Sequence, residues 1–172
     1  MIPVVYLHPR EIRAAHEGGR ARMEAGPVTP LEAGVDPLFH EVLGCMGEIG
    51  VCRAYRVAPD LEIYATRGEA GADLEVAGKT VNVKSTAPWK SPHLLVLASR
   101  KLKHEIYLLA GVKLREGIVT LWGYATREEV AAVEPASFRG SSPTRAIFWG
   151  DLHPCHPPNA DEYIVPGGVN DA

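Results

Sequence analysis

Gly71–Thr86, GADLEVAGKTVNVKST, is the stretch whose reading decides this fold. It holds two short β-type runs, one opened by Asp73 and one ending near Lys84, with Gly78-Lys79 as the expected tight turn between them. In Thr80-Val81-Asn82-Val83-Lys84 the two-residue period sends Val81 and Val83 to one face and Asn82 and Lys84 to the other. Paired as a hairpin, the runs set Asp73 across from Asn82 and Lys84. A carboxylate, an amide and an ammonium then converge at one edge of a sheet.

Such a grouping suits phosphodiester cleavage, in which a hard divalent cation held by oxygen ligands such as Asp73 stabilises transition-state charge. A lysine beside the ion orients water or neutralises phosphate. The competing reading is a solvated hairpin whose outer face carries ordinary surface charges.

Asp73 followed by Asn82-Val83-Lys84 resembles the Asp…(Asp/Glu)-x-Lys signature of the PD-(D/E)XK nuclease superfamily, and Gly47-Glu48-Ile49-Gly50-Val51 resembles its acidic "GE" helix. The order is matched over about residues 41–124. The chain is most similar to small phage and prophage proteins of that superfamily, which share the hairpin ending in Val-Lys-Ser-Thr, a strand like Ile106-Tyr107-Leu108-Leu109 and a turn like Trp122-Gly123-Tyr124. The resemblance implies a restriction-endonuclease-like α/β core, a central mixed sheet flanked by helices. It also implies a Mg²⁺- or Mn²⁺-dependent nuclease acting on DNA, with Asp73 as central metal ligand, Glu48 as a second ligand and Lys84 as the catalytic lysine. The Val83 carbonyl would complete the metal shell with Asn82. A homodimer would supply the two sites that double-strand cutting requires.

Asn82 stands where the signature has Asp or Glu. An amide oxygen still ligates a hard cation, but the site loses a formal charge. At about 4 Å and an effective dielectric of about 20, one unit pair is worth on the order of 4 kcal/mol. The alternative is therefore a catalytically inactive member of the fold that binds nucleic acid or a protein partner. A third possibility is an unrelated small α/β protein.

With 172 residues and 46% hydrophobic content, the chain suits one domain with a substantial core. A net charge of −3 gives no global attraction to nucleic acid, so DNA contact falls to local patches. Three cysteines, at 45, 52 and 155, argue against a disulfide framework and for a reducing cytoplasm. No apolar run is long enough for a membrane span, and no secretory leader is visible. The absence of Gln and the 14 Pro fit a thermostable protein.

Along the chain, residues 1–7 read as an edge strand. A basic helix over 9–25 carries Arg10, Arg13, Arg20 and Arg22, either as a solvated face or as a phosphate-contacting arm, and Gly18-Gly19 weakens its middle. Asp36-Pro37 starts a helix to about Tyr55 with one apolar stripe, and Gly44 and Gly47 suggest close packing of another backbone. Strands follow at 61–65, 94–97, 105–110, 118–124 and 146–149, the second of them buried, with a capping box at Thr126 and Glu129. The nuclease-like core spans about 36–150 and a loose tail 151–172. In that tail His153, Cys155 and His156 are zinc-type residues without paired spacing.

Arg100, Lys101 and Lys103, with Lys90 just before them, form the densest basic cluster and the candidate nucleic-acid contact. Replacing Arg100, Lys101 and Lys103 together by Ala is expected to weaken DNA binding and flatten its dependence on salt, measured as the slope of log affinity against log salt. An unchanged slope would mark the cluster as a solvated turn.

Overall fold

The computed structural model describes residues 2–25, 36–59, 71–87, 92–137 and 142–158. In order these form β1 (Val4–Tyr6), α1 (Pro9–Ala25), α2 (Pro37–Tyr55), β2 (Leu74–Val76), β3 (Lys79–Thr86), β4 (His93–Leu97), β5 (Ile106–Lys113), β6 (Ile118–Thr126), α3 (Arg127–Ala132) and β7 (Thr144–Phe148). Helix α2 starts where the cap-then-proline pair predicts: the Asp36 carboxylate accepts the Leu38 N–H at 2.9 Å. Thr126 and Glu129 close the expected capping box at α3. The strand expected at 61–65 lies outside the described residues.

A mixed five-stranded sheet runs β1-β6-β5-β3-β2, in which only the β3–β5 pair is parallel. Strands β4 and β7 form a separate two-stranded ribbon. Leu94 and Val96 point inward while Leu95 and Leu97 stay exposed, so β4 alternates rather than lying wholly buried. Alternation along β3 and β5 gives the sheet two apolar faces. Val81, Val83, Leu108 and Ala110 pack with α2, whereas Tyr107 and Leu109 pack with the ribbon and with Val130 of α3.

Helix α2 is buried on nearly all sides, with Val42, Leu43, Cys45–Cys52 and Ala54 all inside. The sequence stripe accounts for the sheet side alone; α1 covers the other. Glycines make both approaches close. A Cβ at Gly19 would sit 2.8 Å from the Val42 backbone nitrogen, and one at Gly47 would overlap Ser85 Oγ of β3. Gly44, which the sequence suggests is also a packing glycine, has open space around it. None of the helices among the described residues is long and apolar enough to cross a membrane.

The hairpin turn is Ala77-Gly78, one residue earlier than expected, with φ of 50° and 75°. Positive φ at both central residues is the geometry that matches strand twist in two-residue hairpins. Residues 151–158, expected to be loose, are tied to β6: His153 and Tyr124 exchange backbone hydrogen bonds of 2.8 and 2.9 Å, and Cys155 is buried.

The two α2 glycines should respond with opposite signs. Gly47→Ala forces α2 off β3 and is expected to destabilise by about 1–3 kcal/mol. Gly44→Ala meets nothing and should stabilise by about 0.5–1 kcal/mol through helix propensity. Urea midpoints at constant m-value measure both.

Candidate functional site

The site forms where β2 stops and β3 continues. Pairing ends at Leu74↔Val81, and the next residue, Asp73, still donates its N–H to the Val81 carbonyl at 3.1 Å. Its carboxylate then takes over from the backbone. Asp73 Oδ2 accepts the Val83 N–H at 2.6 Å and an Asn82 Nδ2 hydrogen at 3.0 Å. Asp73 thus lies along the edge of β3 just past the end of β2, toward which the backbone of Val83 points as that of Val81 does.

Glu48 reaches this edge from α2. Gly47, its neighbour, rests on Ser85 of β3, so Glu48 emerges against the sheet at 9% exposure. Arg22 of α1 holds it as a bidentate ion pair, Nη1 to Oε1 at 2.8 Å and Nη2 to Oε2 at 2.7 Å. Arg22 is therefore neither a solvated residue nor a free phosphate-contacting arm in this structure. Its signal in the sequence was Gly18-Gly19, which clears one helix face three and four residues before it. Ser85 was likewise missed; its Oγ is buried with no hydrogen-bond partner among the described residues.

Lys84 projects from the face of β3 opposite Val83. Burial pulls its ammonium below the ordinary lysine range, Asp73 partly restores it, and Arg100 opposes it. His104 is lowered by burial first, then by Lys84 and Lys103. Arg100 therefore lies near Lys84 and Lys103 near His104, and the Arg100, Lys101 and Lys103 side chains are all on the surface. Lys90 lies outside the described residues.

Burial and then the nearby Glu48 charge push Asp73 up to about 7 from an ordinary 3.8, against the Val83 N–H, Lys84 and Arg22, which favour the anion. Glu48, Asp73, Lys84, Asn82 and Val83 are thus gathered at one edge. In ligand type they fit a hard divalent cation: two carboxylates, a main-chain carbonyl and an amide oxygen. They fall short in charge, for no three His, Cys, Asp or Glu side chains among the described residues converge as a metal-binding group. His153, Cys155 and His156 do not converge either. His153 Nε2 meets Glu129 at 2.7 Å and Cys155 turns inward against Tyr55.

A cleft of ≈280 Å³ opens at the opposite end of β3, lined by Val51, Tyr55, Val81 and Leu108 with Lys79 and His156. The charged edge is distinct from it. Scanning the chain against protein-family models gave no match, and searches of curated proteins and of solved structures gave none either.

Asp73 makes stability pH-dependent in a defined direction. Its folded value lies above its unfolded one, so between about pH 4 and 7 the native chain holds a proton that the unfolded chain has released. Its contribution is complete below the unfolded value and is lost as pH rises through about 7. Asp73→Asn should flatten this segment of the melting-temperature profile, whereas an unaltered profile would remove Asp73 from the buried edge.

Proposed function

We propose that this chain is a metal-dependent nuclease that hydrolyses DNA phosphodiester bonds, with a restriction-endonuclease-like core. The observation that carries the reading is that Asp73, bonded to the Val83 N–H at the edge of β3, has Glu48 and Lys84 close by. An acidic helix, an Asp-bearing hairpin strand and a Lys-bearing strand supply them in the chain order that the PD-(D/E)XK resemblance implies. Asp73, Glu48, the Val83 carbonyl and the Asn82 amide oxygen would hold Mg²⁺ or Mn²⁺. When bound, the cation supplies Lewis-acid stabilisation of the phosphoryl charge. Lys84 contributes a buried ammonium with a lowered proton affinity, suited to orienting water and moving a proton at the attacked phosphate. Arg100 lies near it, and with Lys101 and Lys103 would carry backbone phosphates.

A second reading rests on charge. Arg22 pairs with Glu48, and Asp73 beside Lys84 is either protonated or offset by the ammonium, so the site carries no uncompensated negative charge without an ion. With Asn82 at the acidic position, that balance suits a catalytically inactive nucleic-acid-binding protein. Incubation with labelled linear, circular and branched DNA with and without Mn²⁺ separates the two readings. Cleavage that requires Mn²⁺ and is lost in Lys84→Ala and Asp73→Ala supports the nuclease.

Asn82→Asp should sharpen the contrast. The substitution replaces an amide donor to Asp73 with a third carboxylate on the face that Lys84 shares. Without metal the variant is expected to melt lower, because the hydrogen bond is lost and like charges meet. With Mn²⁺ it should bind more tightly and cleave tenfold or more faster, corresponding to about 1.4 kcal/mol of transition-state stabilisation. Unchanged rate, affinity and metal-dependent melting would mean that position 82 does not face the ion.

A further inference from the structure

The Arg22–Glu48 pair reaches across two helices and occupies a carboxylate that the metal-dependent reading needs. Both Glu48 oxygens accept from the guanidinium, at 2.8 and 2.7 Å, and the side chains are 24% and 11% exposed. A dication approaching either oxygen meets a full positive charge a few ångströms away, with little solvent to screen it. Cation and guanidinium therefore compete for one ligand. The wider site adds no uncompensated negative charge to draw the dication in, since Lys84 lies near Asp73 and Arg100 near Lys84.

Arg22 nevertheless has an exit. It stands in the last turn of α1, its side chain is the more exposed half of the pair, and Arg13 and Arg20 on the same helix are exposed. A guanidinium matches the two oxygens of a phosphodiester as well as it matches a carboxylate, with the same bidentate geometry. We propose that Arg22 is an exchangeable counter-ion: a substrate phosphodiester draws it off Glu48, and the divalent cation takes the vacated carboxylate, so that metal and nucleic acid bind cooperatively. The exchange conserves ion pairs. One Arg–carboxylate pair becomes an Arg–phosphate pair and a cation–carboxylate contact, which leaves no buried charge alone. The inference rests on the metal-dependent reading and assigns that site its gate.

Calorimetric titration with Mn²⁺ tests it on the wild-type chain, Arg22→Gln and Arg22→Lys, with and without a cleavage-resistant phosphorothioate DNA duplex, alongside melting with and without the ion. Without DNA, Arg22→Gln should bind Mn²⁺ about tenfold tighter than wild type and show the larger Mn²⁺-induced rise in melting temperature. DNA should tighten Mn²⁺ binding to wild type but leave Arg22→Gln nearly unchanged, because the competition has already gone. Arg22→Lys keeps a charge but loses the fork, and should fall between the two. If Arg22→Gln proves too unstable to titrate, Arg22→Lys decides: tighter Mn²⁺ binding than wild type supports the exchange, and equal or weaker binding overturns it. Equal Mn²⁺ affinity across all three, abolished by Asp73→Asn, would overturn the exchange and leave the metal site standing. Absence of Mn²⁺ binding in every variant would overturn both.

Discussion

Gly47 lets the backbone of α2 lie directly on β3, and the character of the candidate site follows from that contact. A Cβ at this position would overlap Ser85 Oγ and crowd Ser85 Cβ, so a larger residue would have to displace Ser85 or lift the helix. The next residue, Glu48, therefore emerges at the sheet surface rather than in water. A carboxylate buried this far requires a counter-charge, since leaving one ion of a buried pair alone costs about 3–5 kcal/mol. Arg22 supplies it, and Arg22 arrives only because Gly19 brings α1 against Val42. Two glycine contacts, one on each side of α2, thus set an ion pair that neither helix could make alone.

The second carboxylate is positioned by a turn. Positive φ at Ala77 and Gly78 pins the hairpin register, and that register ends backbone pairing one residue before Asp73. A slip of one position would send Asn82 and Lys84 to the α2 face and Val83 to the ribbon side. As built, Asp73 bonds the Val83 N–H and lies between Glu48 on one side of the strand and Lys84 on the other. Its raised proton affinity has the same origin. Burial weakens hydration, Glu48 adds a like charge, and one N–H with two nearby cations offsets only part of both.

What the sequence conveyed best was local. The Asp36-Pro37 cap, the Thr126–Glu129 capping box and the alternation of Val81, Asn82, Val83 and Lys84 act within one element, and each stands where its pattern places it. Long-range relations were less legible. Leu94-Leu95-Val96-Leu97 reads as a buried strand because four apolar residues run together, yet β4 pairs only with β7, and half of its side chains remain outside. The prolines around His153 suggest a loose tail, but two backbone hydrogen bonds to Tyr124 and a buried Cys155 hold it, and no pattern in either segment announces the other. Arg22 is the most instructive case. A basic helix face looks solvated, and only the glycines beside it mark the side that turns inward.

The asymmetry of β3 bears on how a polyanion would meet this edge. Asn82 and Lys84 face the ribbon side, where Arg100 and the neighbouring lysines lie on the surface, while Glu48 and Arg22 stand on the α2 side. The strand edge between them is where backbone and carboxylate are presented together. A net charge of −3 repels nucleic acid at long range, so encounter depends on the cluster near Lys84 rather than on the whole surface. Arg22 lies on the far side of the same edge. Positive charge therefore flanks the two carboxylates from both faces of the strand.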